Sequence, residues 1–293
     1  MKTPRIIGIG IATMDIYCHQ KRMYPGGNEY NIAYDVMLQG AEAGFMGIFA
    51  DDMAGRLLER TLKDIGVDTS HSHHESGSSG YALVDLKEGD RVFLDWNKKG
   101  VTDLYPFTFT EEEIQYIRTF DVACISWGAR VNPDKIKKLS DAGVTICYDF
   151  YDNFTDEDID RISPYISYGF FSGSHVSRER AGMILKRCVD AGCRIAVVTR
   201  GHDAAIAYDG TRYYEQEICQ VKPKDTMGAG DSYISAFLTN YLSAGADEFK
   251  AEDKITASLK KAAEFAATVV VKDGSLGVGY DVDPGRLSEI INL

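Results

Sequence analysis

The 293-residue sequence predicts an α/β protein in which a central, mostly parallel sheet is covered by helices on both faces and carries a small β lid. Two observations support this fold class. Short apolar runs alternate with amphipathic stretches along most of the chain, which is the order of a parallel sheet with crossover helices. Residues 81–96 interrupt that order with two alternating runs around KEGD, which predict a hairpin turning at Glu88-Gly89. We expect this hairpin to leave the main sheet and to form the lid.

The first elements follow from local composition. The run RIIGIGIAT is short and rich in β-branched residues and glycine, so it predicts a buried strand. NIAYDVMLQG has apolar residues at helical spacing before a glycine and predicts a helix. FMGIFA predicts the next buried strand. DMAGRLLERTLKDIG predicts a strongly amphipathic helix that ends at Gly66.

After the hairpin the chain returns to the same alternation. Four further strands are predicted, in the runs FDVACISWG, VTICYDF, YISYGFFSGS and CRIAVVTRG. Helical stretches such as NPDKIKKLSDAG separate them. A short strand pair around IAYDGTRYY follows, and DKITASLKKAAEFAATVVV predicts a helix near the C-terminus.

Composition excludes several partners. The net charge is -12 and the sequence pI is about 5.0, which argues against nucleic acid or an anionic membrane as a binding partner. No apolar run reaches the ~20 residues of a membrane helix, and the N-terminus lacks the features of a signal peptide. We therefore expect a cytoplasmic protein. Its six cysteines show no C-x-x-C spacing and are expected to be free thiols.

The stretch KPKDTMGAGDSYISAFL carries the clearest chemistry. Gly228 and Gly230 allow the backbone to approach a ligand, and the start of the following helix attracts anions. Asp231, an anion itself, lies at the same corner. A carboxylate beside an anion site can accept the proton of a hydroxyl that attacks a phosphate. The pattern predicts phosphoryl transfer to an alcohol, and the alternative is that Asp231 only caps the helix.

DTMGAGDSYISAFL resembles the C-terminal signature of the ribokinase (PfkB) family of carbohydrate kinases. The segment beginning YPGGNEYNIAYDV resembles the N-terminal signature, a Gly-Gly pair followed by asparagines and a helix. The two lie about 200 residues apart in family order, so the resemblance covers essentially the whole chain. It implies a ribokinase-like fold that uses ATP and Mg²⁺. The α/β core is then expected in residues 1–15, 27–75 and 100–293, and the lid in residues 16–26 and 76–99.

The resemblance also implies roles for individual residues. The sugar would be bound by Asp15, at the end of the first strand, and by Gly27, Asn28 and Asn31. The base would be Asp231, with an anion hole at Gly228, Ala229 and Gly230. The nucleotide phosphates would lie against Thr199, Arg200, Gly201 and Gly230.

Two positions depart from the family pattern. The N-x-x-E motif, which helps to organise magnesium, reads Val176-x-x-Glu179, so Glu179 is left to act through water. The second glycine of the nucleotide motif is replaced by Ala204. Asp225 matches a position that can bind a monovalent cation, and K⁺ is therefore a possible cofactor.

The stretches GGNEYNIA, GDRVFLDWNKKGV and CYDFYDNF resemble the fructoselysine 6-kinase branch, which implies a fructosamine substrate. Arg91, Phe93 and Asp95 alternate along the flap, so we expect them to face one side and to reach the substrate. Asp95 would then lie near the amine of a fructosamine. Trp127 is expected to line the pocket. The alternative is that this face of the flap only packs the lid or forms a dimer contact.

Other functions stay open at this point. A plain sugar such as fructose or ribose, or a nucleoside, is the main alternative substrate. The altered N-x-x-E motif would suit a non-catalytic sugar- or nucleotide-binding protein. GIGIAT, with Glu29 about 20 residues on, partly matches a dinucleotide-binding fingerprint and would suit an oxidoreductase. A homodimer formed through the lid is common in the family, although the flap here is short.

Overall fold

The computed structural model of the chain describes residues 2–87, 90–97, 99–243 and 251–291. The predicted turn at Glu88-Gly89 lies outside these residues. The strands are β1 (Arg5–Ile9), β2 (Thr13–Tyr17), β3 (Arg22–Gly26), β4 (Glu42–Met46), β5 (Ile48–Ala50), β6 (His73–Glu75), β7 (Gly80–Lys87), β8 (Asp90–Trp96), β9 (Val122–Ser126), β10 (Ile146–Asp149), β11 (Tyr168–Ser172), β12 (Ile195–Arg200), β13 (Asp203–Tyr208), β14 (Tyr213–Gln216) and β15 (Tyr280–Asp281).

The helices are α1 (Asn28–Leu38), α2 (Met53–Ile65), α3 (Val101–Leu104), α4 (Glu111–Ile117), α5 (Pro133–Asp141), α6 (Asp156–Ile162), α7 (Arg178–Asp190), α8 (Ala229–Ser243) and α9 (Ala251–Val269). Short 3-10 turns span Cys18–Gln20, Trp127–Ala129, Ser163–Tyr165 and Pro284–Glu289. No helix in the described part of the chain is both long enough and apolar enough to cross a membrane. The six cysteines are free thiols, as predicted.

The main sheet has the strand order β14-β13-β12-β11-β10-β9-β1-β4. Six neighbouring strands of this sheet run parallel, namely β12, β11, β10, β9, β1 and β4. Strands β13 and β14 continue the sheet beyond β12 as antiparallel strands at one edge. Helices α1, α2, α8 and α9 cover one face, and α4 to α7 cover the other. Neighbouring residues of β1 enter opposite layers, with Ile6 in one apolar core and Ile7 in the other. The predicted fold class is confirmed.

A second sheet, with the order β15-β3-β2-β7-β8, forms the lid. Strands β7 and β8 are the two arms of the predicted hairpin and pair antiparallel. The sheet also takes in residues 13–15 and β15, which the sequence analysis assigned to the core. The division of the chain into core and lid domains otherwise stays a prediction.

Asp15 does not lie at the end of the first strand, as the sequence analysis expected. Strand β1 ends at Ile9, and Asp15 is the central residue of β2 in the lid sheet. The reason is the close approach of α1 to the intervening chain. A Cβ atom on Gly10 would lie 2.1 Å from the Glu29 carboxylate, and one on Gly27 would lie 2.3 Å from the Ile11 carbonyl oxygen. The chain turns out of the main sheet where this helix begins.

Candidate active site

Asp231 lies in the first turn of α8 and is 7% exposed. Two amides from the first turn of α1 donate to its carboxylate. The Nδ2 of Asn28 lies 3.0 Å from Oδ1, and the Nδ2 of Asn31 lies 2.7 Å from Oδ2. The two halves of the site therefore come from opposite ends of the chain and meet at one carboxylate. Both of its oxygens are held in place, which is the preorganisation that a general base needs.

The orientation of each asparagine is itself fixed by a hydroxyl. Ser275 Oγ donates to Asn31 Oδ1 over 2.8 Å, and the hydroxyl of Tyr151 donates to Asn28 Oδ1. Because each amide oxygen accepts from a hydroxyl, each amide nitrogen is directed at Asp231. The segment that follows α9 and the loop that follows β10 thus support the same carboxylate.

The glycines before Asp231 differ in their surroundings. Gly228 has a φ of 76°, and a Cβ there would lie 2.7 Å from the Cβ of Ser275. A Cβ on Gly230 would meet no described atom within 4 Å, so this glycine faces open space. The Ala229 N–H donates to the Thr226 carbonyl oxygen over 3.2 Å. The first turn of α8 presents its remaining N–H groups as a helix N-terminus does, beside an open approach at Gly230.

Asp15 and Gly27 lie beside the start of α1. Asp15 is 5% exposed and pairs across the lid sheet with Tyr24 and Ala82. Its Oδ2 would lie 2.5 Å from a Cβ on Gly26, so the carboxylate is adjacent to the glycine pair that begins the helix. Gly27 has a φ of 115°. The predicted sugar-binding residues Asp15, Gly27, Asn28 and Asn31 are therefore grouped around one helix start.

The predicted nucleotide residues lie at the carboxyl edge of the main sheet. Thr199 and Arg200 end β12, and Gly201 follows with a φ of 64°. The carbonyl oxygen of Thr199 accepts from the Gly173 N–H over 2.7 Å, which ties this loop to the end of β11. Arg200 forms an ion pair with Asp203 at 3.0 Å within its own hairpin. In open α/β sheets this edge is where ligands bind.

The two residues that were predicted to bind ions, Glu179 and Asp225, have different surroundings. Glu179 is exposed in the first turn of α7, and the described residues contain no cluster of three or more His, Cys, Asp or Glu side chains that could hold a metal. Mg²⁺ commonly binds through substrate phosphates with one or two carboxylates. The residues present fit an ion that enters on the nucleotide, with Glu179 able to contribute through water.

Asp225 is fully buried and has three hydrogen-bond donors. Its Oδ1 accepts from the Met227 N–H at 2.9 Å, and its Oδ2 accepts from the Tyr17 hydroxyl at 2.7 Å and from the Gly274 N–H at 2.8 Å. The carboxylate thus fastens a lid strand to the segment after α9. Its use by K⁺ stays a prediction, because protein donors already contact both oxygens.

The prediction that Arg91, Phe93 and Asp95 face one side is wrong. The register of β7 and β8 shifts at Leu83 and Val84, where Val84 pairs with Phe93 and Leu83 with Asp95. Cross-strand partners share a face and neighbouring residues do not, so Phe93 and Asp95 point to opposite faces. The extra residue at Leu94 causes the reversal. The side chain of Arg91 lies outside the described residues.

Phe93 lies on the same face of the lid sheet as Asp15, since Val84 and Ala82 share that face with it. Trp96 pairs with Ala82 and belongs to this face as well. Trp127 follows β9 at the carboxyl edge of the main sheet, is 54% exposed, and lies 6.2 Å from the ring of Tyr151. Phe93 and Trp96 thus share the face of Asp15, whereas Asp95 does not, and contact of Phe93 and Trp127 with a substrate stays a prediction.

Three further carboxyl groups, buried on or beside α1, were not predicted as kinase-site residues by the sequence analysis. Burial raises the pKa of Asp149 to about 7, and the nearby Asp231 charge adds to the effect. Burial likewise raises the pKa of Glu29 to about 7. The pKa of Asp35 is raised well above its ordinary value by burial and by Asp231. A signal was present, because Asn28, Asn31 and Asp35 lie on one face of a helix and Asp149 ends a strand.

A carboxylate in the first turn of a helix, beside an open glycine turn and the carboxyl edge of a parallel sheet, suits an enzyme that transfers a phosphoryl group to a hydroxyl. The chain belongs to the pfkB family of carbohydrate kinases, whose family model matches residues 7–278. It is an ATP-dependent carbohydrate kinase, and its substrate is a small sugar or sugar derivative.

Known proteins resemble the chain over most of its length. The fructosamine kinase FrlD of Bacillus subtilis (strain 168) is 34% identical over 286 residues, which cover 97% of this chain and 96% of that protein. The fructoselysine 6-kinase of Escherichia coli (strain K12) is 31% identical over 242 residues, covering 82% and 90%. The structure of Arabidopsis thaliana ribokinase complexed with ribose and ATP has a TM-score of 0.77 at 18% identity, covering 94% of this chain and 95% of that one. The last similarity supports the fold.

Proposed function

We propose that the protein phosphorylates a fructosamine such as fructoselysine on its 6-hydroxyl, using ATP, with Asp231 as the base. The observation that carries the proposal is the placement of Asp231. Its carboxylate is fixed by Asn28 and Asn31 at the start of α8, beside the open side of Gly230. A hydroxyl positioned there would have a proton acceptor on one side and a helix N-terminus on the other.

In the proposed reaction the 6-hydroxyl oxygen attacks the γ-phosphorus of ATP. The new O–P bond forms as the bond to the bridging oxygen of ADP breaks, and Asp231 takes the hydroxyl proton. The N–H groups at the start of α8 would stabilise the negative charge on the transferred group. Mg²⁺, when bound with the nucleotide, would neutralise charge on the phosphates, with Glu179 contributing through water. Closure of the lid over Asp15 would exclude water, which favours transfer to the sugar over hydrolysis.

Two observations support a fructosamine over a plain sugar. The two curated relatives described above are named for fructosamine and fructoselysine. In this chain, Asp149 and Asp35 are buried carboxyl groups close enough to Asp231 for its charge to add to their raised pKa values, and such surroundings favour a substrate that carries a positive charge. Fructose, ribose and a nucleoside are the alternatives. The valine at position 176 supports a non-catalytic sugar-binding protein, whereas the ordered base and open glycine support catalysis.

The proposal includes three expectations that follow from the family and the chemistry. An enzyme that consumes ATP and a sugar adduct would work in the cytoplasm. A monovalent cation such as K⁺ would bind near Asp225 if it is required. If the protein forms a homodimer, the lid sheet would be the contact surface, although the flap is short for that role.

The test is an ADP-release assay with ATP and Mg²⁺, comparing fructoselysine with fructose, ribose and adenosine. We expect turnover of fructoselysine, and we expect Asp231→Asn to lower kcat by about 100-fold or more, the usual contribution of a general base. Asp281→Asn, which removes an exposed lid carboxylate, is the matched control and should keep full activity. Full activity in Asp231→Asn would rule out the proposed base. Turnover of only a plain sugar or nucleoside would replace the proposed substrate.

A further inference from the structure

We infer that Asp149, together with Asn28 and Tyr151, forms an ammonium-binding subsite that selects sugars carrying an amine over plain sugars. This ammonium subsite rests on the proposed function, because it names the part of the substrate that separates a fructosamine from fructose. It replaces Asp95 in that role, since Asp95 points away from the face of the lid that carries Asp15.

The subsite adjoins the base through a single side chain. Asp149 ends β10 at the carboxyl edge of the main sheet and is 7% exposed. Its Oδ2 lies 3.4 Å from the Nδ2 of Asn28, and the same nitrogen lies 3.0 Å from Oδ1 of Asp231. One amide therefore separates the two carboxylates, so a small substrate bound against Asp231 lies within reach of Asp149.

The backbone after β10 is held in an uncommon conformation at this point. Tyr151 has a φ of 60°, which is rare for a bulky residue and tends to persist at functional sites. Its N–H donates to Oδ1 of Asp149 over 3.0 Å, and its hydroxyl donates to Oδ1 of Asn28. A Cβ on Gly128 would lie 2.4 Å from that hydroxyl, so the ring also requires a glycine opposite it. This local arrangement turns Asp149 and Tyr151 toward Asn28.

The charges of Asp149 and Glu29 bear on what the subsite can bind. Neither Asp149 nor Glu29 forms an ion pair with a basic side chain in the part of the chain that the structure describes. Burial, with the Asp231 charge, raises the pKa of Asp149 to about 7. A bound cation would favour the ionised carboxylate and would offset the cost of burying it. The protonated amine of a fructosamine is such a cation, and fructose has none.

The experiment compares 1-amino-1-deoxyfructose with fructose, which differ only in an ammonium group against a hydroxyl. In the wild-type enzyme we expect a clear preference for the amine in kcat/KM. Asp149→Asn keeps the size and the acceptor for the Tyr151 N–H but removes the charge. It should lower kcat/KM for the amine by about 30-fold or more, as loss of one partner of a buried charge pair does. It should change kcat/KM for fructose by only a few-fold.

Two variants and one further measurement separate the subsite from a structural role. Asp149→Glu restores the charge and should recover part of the preference, while Glu157→Gln removes an exposed carboxylate eight residues along and should leave it unchanged. Equal losses on both sugars would overturn the subsite and leave Asp149 as a support for Asn28. A rise only in KM for MgATP would overturn it in favour of metal binding. A wild-type enzyme that phosphorylates fructose but not the amine would instead refute the proposed substrate, and this result is read before any variant is made.

Discussion

Ser275 connects two parts of the proposed phosphoryl-transfer site, Asn31 on α1 and the turn at Gly228. Its hydroxyl donates to Asn31 Oδ1 over 2.8 Å, and its Cβ lies where a side chain on Gly228 would have to go. Two residues before Ser275, the carboxylate of Asp273 forms an ion pair with Lys224 at 2.5 Å. The segment after α9 therefore borders the proposed site. Its sequence contains no motif that would predict this position.

Gly228 and Gly230 should respond differently to the same substitution. Gly228→Ala introduces a side chain at a φ of 76° and against Ser275, so we expect it to lower the free energy of unfolding by about 1–2 kcal/mol from the backbone term alone and to reduce kcat strongly. Displacement of Ser275 would release Asn31 and with it the orientation of Asp231. Urea unfolding and the ADP-release assay measure the two effects.

Gly230→Ala is the matched variant. Position 230 is helical and open, so alanine there should leave the free energy of unfolding unchanged or raise it by up to about 1 kcal/mol. We nevertheless expect a marked loss of kcat/KM for ATP, because the methyl group would occupy the approach to the start of α8. Full activity in Gly230→Ala would argue that the phosphoryl group does not approach on this side.

At the scale of elements, the bulge in β8 decides which lid side chains reach the substrate. Phe93 shares a face with Asp15, and Asp95 lies on the opposite face. We expect Phe93→Ala to raise KM for the sugar severalfold, because an aromatic surface over the substrate is lost, and Asp95→Ala to leave KM nearly unchanged. Steady-state kinetics with fructoselysine measure both. A larger effect from Asp95→Ala would mean that β8 has no bulge at Leu94 when the substrate is bound, so that Asp95 faces the substrate.

The sequence predicted the strands and helices well wherever composition marks their ends. It failed where contacts between distant segments determine the path. RIIGIGIATMDIY reads as one apolar run, and its division into β1 and β2 depends on the approach of α1 to Gly10. The bulge at Leu94 lies within the apolar run Val92 to Leu94, and its position is set by the register with β7 rather than by a turn residue. Asp149 was visible as the end of a predicted strand, but its proximity to Asp231 depends on Asn28, which is more than 100 residues away.

At the scale of the whole molecule, the site concentrates buried acid in a chain whose net charge is already -12. Asp231, Asp149, Glu29 and Asp35 are all buried on or beside α1. Burial disfavours the charged form of a carboxyl group, so a group of this kind lowers the stability of the fold at pH values where it must ionise. In the proposed reaction, a substrate cation and a transferred proton would offset this cost.

Glu29 allows this cost to be measured. Burial raises its pKa from 4.5 to about 7. Below about pH 4.5 the carboxyl is protonated in both the folded and unfolded states, and it adds no cost. Between pH 4.5 and 7 the folded state keeps a proton that the unfolded state releases, so the free energy of unfolding falls as the pH rises. Above about pH 7 the full cost is present.

We therefore expect Glu29→Gln, which keeps the acceptor for the Ile11 N–H, to gain stability relative to the wild type as the pH increases. Each pKa unit corresponds to about 1.4 kcal/mol, so the difference in the free energy of unfolding between variant and wild type should grow by about 2–3 kcal/mol from pH 5 to pH 8. Urea unfolding at the two pH values measures it. The exposed Glu217→Gln is the control and should show no such growth. A pH-independent difference for Glu29→Gln would mean that Glu29 ionises near its ordinary pKa and that the acidic site is more hydrated than its burial indicates.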